Sequence, residues 1–137
     1  MNDDIRTLEA HGISPSAQRA AVAAYVLHTN DHPSADEVWA RVRETFPHIS
    51  RATVYNTLNL FVRKGLLRSF AITEGRVVFD PHVEDHHHFV DDATGEIRDI
   101  PWDALAVEGI SRLKGVRVRE YQVVIRGEGS AAARRKK

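Results

Sequence analysis

The stretch that decides the fold is Ser50–Phe79, SRATVYNTLNLFVRKGLLRSFAITEGRVVF. Its first half has a capping serine, apolar residues at helical spacing and a closing glycine, so we predict a helix from Ser50 to about Lys64. Its second half predicts two short strands, 66–72 and 77–79, joined by a turn. A helix followed directly by a β-hairpin is typical of the end of a winged helix-turn-helix domain.

Two further helices are predicted upstream of this stretch. Ser14-Pro15 is typical of a helix start, and this helix should extend to about Thr29. The sequence SADE at 34–37 has the pattern of a capping box, and the helix that it begins is expected to end at Pro47. Three helices followed by a hairpin are the order of a winged helix-turn-helix domain, which we place at residues 1–82.

The second half of the chain changes its hydrophobic period. The predicted elements are strands at 86–91 and 96–100, a helix from Pro101 to about Lys114 and a strand at 116–126. They predict a small α/β domain at residues 83–127, which makes the fold class α+β. Residues 128–137 are small and basic, and we predict a disordered tail there.

The composition excludes several classes of protein. The 137 residues include no cysteine, which removes disulfides, thiolate nucleophiles and cysteine-ligated metal sites. The apolar runs are too short to cross a membrane, and the acidic N-terminal sequence MNDDIRTLEAHG differs from a secretory signal. We therefore expect a cytoplasmic protein that has no membrane partner.

Basic and acidic residues balance at 19 each, but their distribution is uneven. Residues 45–73 include no acid and several bases. Residues 80–103 are crowded with acids, and Arg98 is their single base. The histidines of this acidic window include the run at 86–88. The basic segment suggests a phosphate partner, and the acidic, histidine-rich segment suggests a cation.

The helix that begins at Ser50 has a polar stripe opposite its apolar one. Small, amide and basic side chains on such a stripe suit the major groove of DNA, and the absence of acids nearby avoids repulsion of phosphates. A solvated helix face, or a winged helix that binds protein, stays open as an alternative. The predicted DNA contacts are Arg19, Arg51, Ala52, Thr53, Tyr55, Asn56, Asn59, Arg63 and Arg76.

The histidines and carboxylates form a candidate metal site. His86 and His88 project from one face of the predicted strand, Asp99 lies on the returning strand, and Asp80 ends the preceding hairpin. Imidazole and carboxylate ligands without sulfur suit Mn, Fe, Co, Ni or Zn. Exposed surface histidines are the alternative interpretation.

An enzyme is the function that the sequence disfavours. Histidines and carboxylates around a metal with an open position could support hydrolysis. However, the chain has no nucleophile constellation, no phosphate-cradling glycine loop and no H-E-x-x-H helix. We therefore predict a protein that is not an enzyme.

Several stretches, in the same order along the chain, resemble the ferric uptake regulator (Fur) family. They resemble the family's first helix start, its hinge loop, its recognition helix, the approach to its wing, its metal motif and the strand that follows. The matching sequences are ISPSAQR (13–19), HPSADEV (32–38), SRATVYNTL (50–58), KGLLR (64–68), DHHHF (85–89) and TGEIRDI (94–100).

This resemblance implies a homodimeric, metal-dependent repressor that binds palindromic operator DNA. Its C-terminal α/β domain would carry both dimerisation and metal binding. The regulatory site would hold Fe(II) or Mn(II), and zinc could bind there in vitro. The implied ligands are His32, Asp80, His86, His88 and Asp99. Because they come from both domains, a bound metal would hold the winged helices in one orientation for DNA.

Two positions resemble the peroxide-sensing (PerR-like) branch of the family, namely Asn56 and Asp99. That branch implies that hydrogen peroxide, reacting with bound Fe(II), oxidises His32 and His86 and so releases the DNA. The triple histidine without cysteine also resembles the haem-responsive iron response regulator (Irr) branch, in which residues 86–88 would bind haem. Both alternatives stay open at this point.

The chain departs from the family at the structural zinc. Typical members hold this zinc with two CxxC pairs, but Asp91 and Thr94 stand at the first pair and residues 127–130 replace the second. A four-cysteine zinc site is therefore excluded. Another metal site of some members requires a histidine where Tyr121 stands, which leaves Asp85 and His87 as a partial second metal or haem site.

Overall fold

A computed structural model describes residues 2–73 and 75–129 of the chain. The helices are α1 (Asn2–Ala10), α2 (Ala17–Val26), α3 (Ala35–Val42) and α4 (Arg51–Arg63). The strands are β1 (Arg68–Thr73), β2 (Arg76–Asp80), β3 (His86–Asp91), β4 (Ile97–Pro101) and β5 (Val124–Gly127). Helices and two small sheets confirm the α+β fold class. Contacts divide the chain into two compact units, Met1–Val83 and Glu84–Lys137.

The first unit has the predicted winged-helix order, in which α2, α3 and α4 precede an antiparallel β1–β2 hairpin. Apolar stripes of the helices meet in one core, with Val22, Val38, Leu58 and Phe61 fully buried. Their burial follows from the helical spacing of these residues in the sequence. The core holds α4 by its apolar face, so that its polar stripe lies on the surface.

The caps of α2 and α3 decide where these helices start. Ser16, and not the predicted Ser14, caps α2, because its hydroxyl accepts the Arg19 amide at 3.1 Å. Pro15 has no amide hydrogen and disfavours helical backbone at the residue before it, so the helix starts after it. The capping box of α3 is confirmed, with Ser34 and Glu37 exchanging hydrogen bonds of 2.9 and 3.2 Å.

Two differences from prediction concern helices of this unit. Helix α1 was not predicted, and its Leu8 is fully buried in the core. Helix α3 ends at Val42, before Pro47, and turns follow it. The Thr45 hydroxyl donates to the Val42 carbonyl at 3.3 Å, a local bond that competes with continued helix.

The second unit contains a three-stranded sheet in the order β4-β3-β5. Strands β3 and β4 pair antiparallel with His88 opposite Asp99, and β5 pairs parallel to β3 with Val124 opposite His88. The central strand β3 therefore carries the whole histidine run. The antiparallel pairing of β3 and β4 confirms the hairpin predicted from the sequence.

Two predicted elements of this unit are wrong. Instead of a helix from Pro101 to about Lys114, the chain forms two 3-10 turns, Trp102–Ala104 and Ile110–Arg112. Gly109 lies between them with φ of 89°, which interrupts helical backbone. The predicted strand 116–126 is reduced to β5, because a strand needs a neighbour and β3 supplies one only near the end of that stretch.

Two further observations complete the fold. The predicted tail at 128–137 lies outside the described residues except for its first two. Across residues 2–73 and 75–129, no helix combines the length and the apolar character needed to span a membrane.

Candidate metal centre and DNA surface

A histidine–carboxylate pair lies in the first unit. His32 belongs to the turn between α2 and α3, and Asp80 ends β2. The Phe79 amide donates to the Pro33 carbonyl at 2.9 Å, which brings the turn beside the strand. As a result, His32 Nε2 lies 3.2 Å from Asp80 Oδ2, and both side chains are about 5% exposed or less. A nearly buried pair of this kind is able to supply one nitrogen and one oxygen ligand to a cation.

A second cluster lies in the second unit and contains His86, His88 and Asp99. The alternation of β3 places both imidazoles on one face, and their ring centroids are 4.7 Å apart. The β3–β4 register places Asp99 opposite His88, so that Asp99 Oδ1 lies 3.5 Å from His86 Nε2 and 3.6 Å from His88 Nε2. Two nitrogens and one oxygen therefore converge within this cluster.

Hydrogen bonds on the far side of each ring fix the tautomers of His86 and His88. His86 Nδ1 donates to the Glu84 carbonyl at 2.7 Å, and His88 Nδ1 lies 2.9 Å from Gln122 Oε1. A carbonyl oxygen only accepts, so the proton of each neutral ring is on Nδ1 and the lone pair is on Nε2. This is the outer-shell arrangement that orients imidazole ligands toward a metal.

His87 has a different environment from its neighbours. Its side chain is on the opposite face of β3, where its ring stacks on Trp102 with centroids 4.5 Å apart. Trp102 in turn lies 4.8 Å from the ring of Tyr121. The Val123 amide donates to His87 Nδ1 at 3.0 Å, which occupies that lone pair. His87 thus acts as a packed aromatic residue with a hydrogen-bond acceptor.

The predicted partial second site, Asp85 and His87, gains no third ligand in the described part of the chain. Among residues 2–73 and 75–129, no group of three or more adjacent candidate ligands includes either side chain. Tyr121, which stands where some family members have histidine, belongs to the aromatic stack instead. The described residues therefore bring His87 into packing and not into a ligand cluster.

Asp91 stands where the sequence comparison with typical family members places a cysteine of the structural zinc site, and its carboxylate has a defined role. Its Oδ1 accepts the amides of Ala93 and Thr94 at 2.9 and 3.3 Å, and its Oδ2 accepts the amide of Gly129 at 3.2 Å. The carboxylate is buried, with 1% of the residue exposed. One anionic side chain thus joins the β3–β4 turn to the segment after β5.

Seven of the nine predicted DNA contacts line two grooves beside α4. Arg19, Thr53, Asn56 and Arg63 line one groove between the start of α2 and α4. Arg19 is held there because its guanidinium donates to the Ser14 carbonyl at 2.7 Å.

The other groove is lined by Tyr55, Asn59 and Arg76, and the start of α3 forms its far side. Ala52 and Arg51 are exposed in the first turn of α4. The structure thus brings the predicted contacts together around a single helix.

Sequence reasoning missed two side chains that position these groups. Asp36 accepts the Tyr55 hydroxyl at 3.0 Å and lies 3.4 Å from Arg51 Nε. The hydrogen bond to Asp36 raises the pKa of the Tyr55 phenol. Gln122, the partner of His88, is 34 residues away in sequence, and no local signal could have found it.

The family comparison matches most of the chain. The sequence model of the ferric uptake regulator family matches residues 10–126. The chain is 30% identical to the peroxide operon regulator of Bacillus subtilis over 129 residues, which cover 93% of this chain and 89% of that protein. It is also 30% identical to the peroxide-responsive repressor PerR of Staphylococcus aureus over 105 residues, 77% of this chain and 71% of that one.

Solved structures agree in fold. The manganese-containing ferric uptake regulator of Pseudomonas aeruginosa superposes with a TM-score of 0.68 and 21% identity, covering 92% of this chain and 97% of that one. The peroxide stress regulator of Campylobacter jejuni gives a TM-score of 0.61 and 24% identity, covering 92% and 96%. The architecture deduced above is thus shared by proteins of distant sequence.

Proposed function

Because the chain belongs to the ferric uptake regulator family, we propose that it is a metal-dependent transcriptional repressor that responds to hydrogen peroxide. The observation that carries the proposal is the cluster in the second unit. His86 and His88 each have the lone pair on Nε2, and both Nε2 atoms lie near the same Asp99 oxygen. This is a cation site whose ligands are oriented in advance. A regulator, and not an enzyme, is the proposed role.

The proposed regulatory site joins this cluster to the pair in the first unit. Its five ligands would be His32, Asp80, His86, His88 and Asp99. The donor set of nitrogen and oxygen atoms without sulfur fits Fe(II) or Mn(II), and it would also accept zinc in vitro. Because the ligands belong to both units, a shared ion would fix the orientation of the winged helix, and its loss would release that constraint.

Peroxide sensing would be a property of the Fe(II) form. With Fe(II) held there, the site would promote transfer of one oxygen atom from hydrogen peroxide to an imidazole, with water as the second product, and the oxidised ring would no longer serve as a ligand. His32 and His86 are the proposed targets. Both matched relatives named above are peroxide regulators, which favours this alternative over a haem-responsive one. Haem would also compete with the stack of His87 on Trp102.

A homodimer and an operator are part of the proposal. Leu113, Val116 and Val118 are exposed by 55%, 61% and 41%, and they line one groove in the second unit. A second copy of the chain would cover this surface. The pair of α4 helices in such a dimer would then read the two halves of a palindromic duplex in the bacterial cytoplasm.

Two measurements test this function. The Mn(II)-loaded protein is used to enrich a binding sequence from random duplex DNA, and binding to that duplex is followed by fluorescence anisotropy with and without EDTA. We expect binding that EDTA and His86→Ala abolish and that His11→Ala, at the exposed end of α1, leaves unchanged. Metal-independent binding, or no enrichment, would contradict the repressor.

The second measurement addresses the signal. The Fe(II) form is exposed to peroxide without air, and tryptic peptides are weighed. A gain of one oxygen on the His32 and His86 peptides is expected for Fe(II) and not for Mn(II). A haem absorption band on titration, without histidine oxidation, would instead favour the haem-responsive regulator.

A further inference from the structure

A cluster of one indole ring and two guanidinium groups lies beside the start of α4. The guanidinium carbons of Arg43 and Arg51 are 4.3 and 4.7 Å from the ring centroid of Trp39. The indole is itself fixed, because its Nε1 donates to the Ile49 carbonyl at 3.0 Å. We call Trp39, Arg43 and Arg51 the arginine–tryptophan cluster.

We infer that this cluster is a preformed phosphate-binding surface that adds Arg43 to the DNA contacts. The inference rests on the proposed DNA-binding function. The inference goes beyond that function because, of these three side chains, only Arg51 belongs to the polar residues from which DNA binding was predicted. The assigned ligand is the phosphate backbone of duplex DNA, and the contact is independent of base sequence.

The charge distribution is the first argument for an anion here. Two cations over one aromatic ring repel each other, although each is attracted to the ring face. Asp36 lies near Arg51, but no carboxylate pairs with Arg43 in the described part of the chain. A phosphate is the counter-ion that a planar guanidinium group matches best.

Arg41 provides the contrast on the same helix. Its guanidinium carbon lies 5.0 Å from the ring centroid of Tyr25 in α2, and its Nε lies 4.0 Å from Glu44 Oε1. The charge of Arg41 is therefore partly neutralised by Glu44, and its guanidinium stacks on a residue of α2 and not of α4. Arg43 and Arg41 are both exposed arginines of α3 and its C-cap, but only Arg43 shares a ring with a residue of α4.

Position in the fold is the second argument. In helix-turn-helix complexes the second helix enters the major groove while the helix before it crosses the backbone. Arg43 is the C-cap of α3 and Arg51 is the first residue of α4, so the cluster spans the connection between these two helices. Stacking on Trp39 restrains both side chains before binding, which reduces the entropy lost when they contact phosphate.

The salt dependence of DNA binding tests the inference. The Mn(II)-loaded full chain is titrated into a fluorescent random-sequence duplex of about 30 base pairs at about 50 to 200 mM KCl. The slope of log K against log [salt] is negative, and each lost phosphate contact makes it shallower by about 0.9. A dimer has two copies of Arg43, so Arg43→Ala should make the slope shallower by about 1.8. Arg43→Lys keeps the charge and should restore most of the slope. The matched control, Arg41→Ala, should keep the wild-type slope.

Variants of Trp39 test the positioning role of the ring. Trp39→Leu should weaken binding while changing the slope little, because the charges remain, whereas Trp39→Phe keeps an aromatic face and should bind more tightly than Trp39→Leu. Circular dichroism confirms that each variant is folded. Metal-dependent binding with equal slopes for wild type and Arg43→Ala would overturn this inference alone. A wild-type chain that binds no duplex would overturn the proposed function together with it.

Discussion

Replacement of Asp91 by asparagine is expected to destabilise the second unit. The carboxylate accepts three backbone amides, and the contact with Gly129 matters most because both residues are buried. Ala93 and Thr94 are exposed, so their amides can turn to water. Asparagine has one oxygen and one NH2 group. If its oxygen accepts the turn amides, the NH2 group faces the Gly129 amide, and two donors oppose each other. If the side chain is flipped, the NH2 group faces the turn amides instead.

The magnitude follows from the loss of one buried hydrogen bond to a charged acceptor, which costs about 1.5–3 kcal/mol. For a unit of this size the Tm should fall by roughly 6 °C or more. Asp91→Ala removes all three contacts and should cost more. Typical family members have a zinc-binding cysteine at this position, whereas here the carboxylate joins the β3–β4 turn to the segment after β5.

Differential scanning calorimetry of the metal-free chain measures both effects. The control is Asp92→Asn, which removes an adjacent exposed carboxylate and should shift the Tm little, as surface substitutions usually stay within about 0.5 kcal/mol. If Asp91→Asn melts at the temperature of Asp92→Asn, the carboxylate does not hold these two segments together.

Three further outcomes are expected. Gln122→Ala should weaken Mn(II) binding about 10- to 100-fold in calorimetric titration, because His88 loses the partner that orients it, and unchanged affinity would exclude that role. Val118→Asp should convert the proposed dimer to monomers in analytical ultracentrifugation, since it places a charge among the exposed apolar side chains of that groove; a persistent dimer would place the interface elsewhere. Burial raises the pKa of Tyr25 in the folded protein. The protonated phenol therefore contributes to the free energy of unfolding in full below the pKa of an unfolded tyrosine, and this contribution is lost as the pH rises through the pKa of the folded state. Tyr25→Phe should therefore reduce the loss of stability above about pH 10 in denaturant titrations, and an unaltered alkaline limb would contradict this.

The predictable parts of the fold are those with strong local signals. The capping serines at 34 and 50 and the apolar stripe of α4 define the winged helix by themselves. Strand alternation places His86 and His88 on one face without knowledge of the tertiary structure.

The elements that were missed depend on contacts distant in sequence. Helix α1 has few apolar residues and is held by Leu8 in the core and by a 2.7 Å pair between Asp4 and His28. The stretch after Pro101 has helical spacing, but the left-handed Gly109 interrupts it. The role of His87 could not be read from the sequence either, because Val123 and Trp102 become its neighbours only after folding.

The backbone of His32 has a consequence for how this protein could change. His32 is the single non-glycine residue with positive φ, 51°, among residues 2–73 and 75–129, and this left-handed conformation costs an L-residue about 1–2 kcal/mol. Glycine would relieve that strain, but it would also remove the buried imidazole beside Asp80, so His32→Gly should give the first unit no net resistance to heat while it deletes a proposed ligand. The strained backbone and the buried imidazole thus belong to one residue, so relief of the strain cannot be separated from loss of the side chain that a ligand role requires.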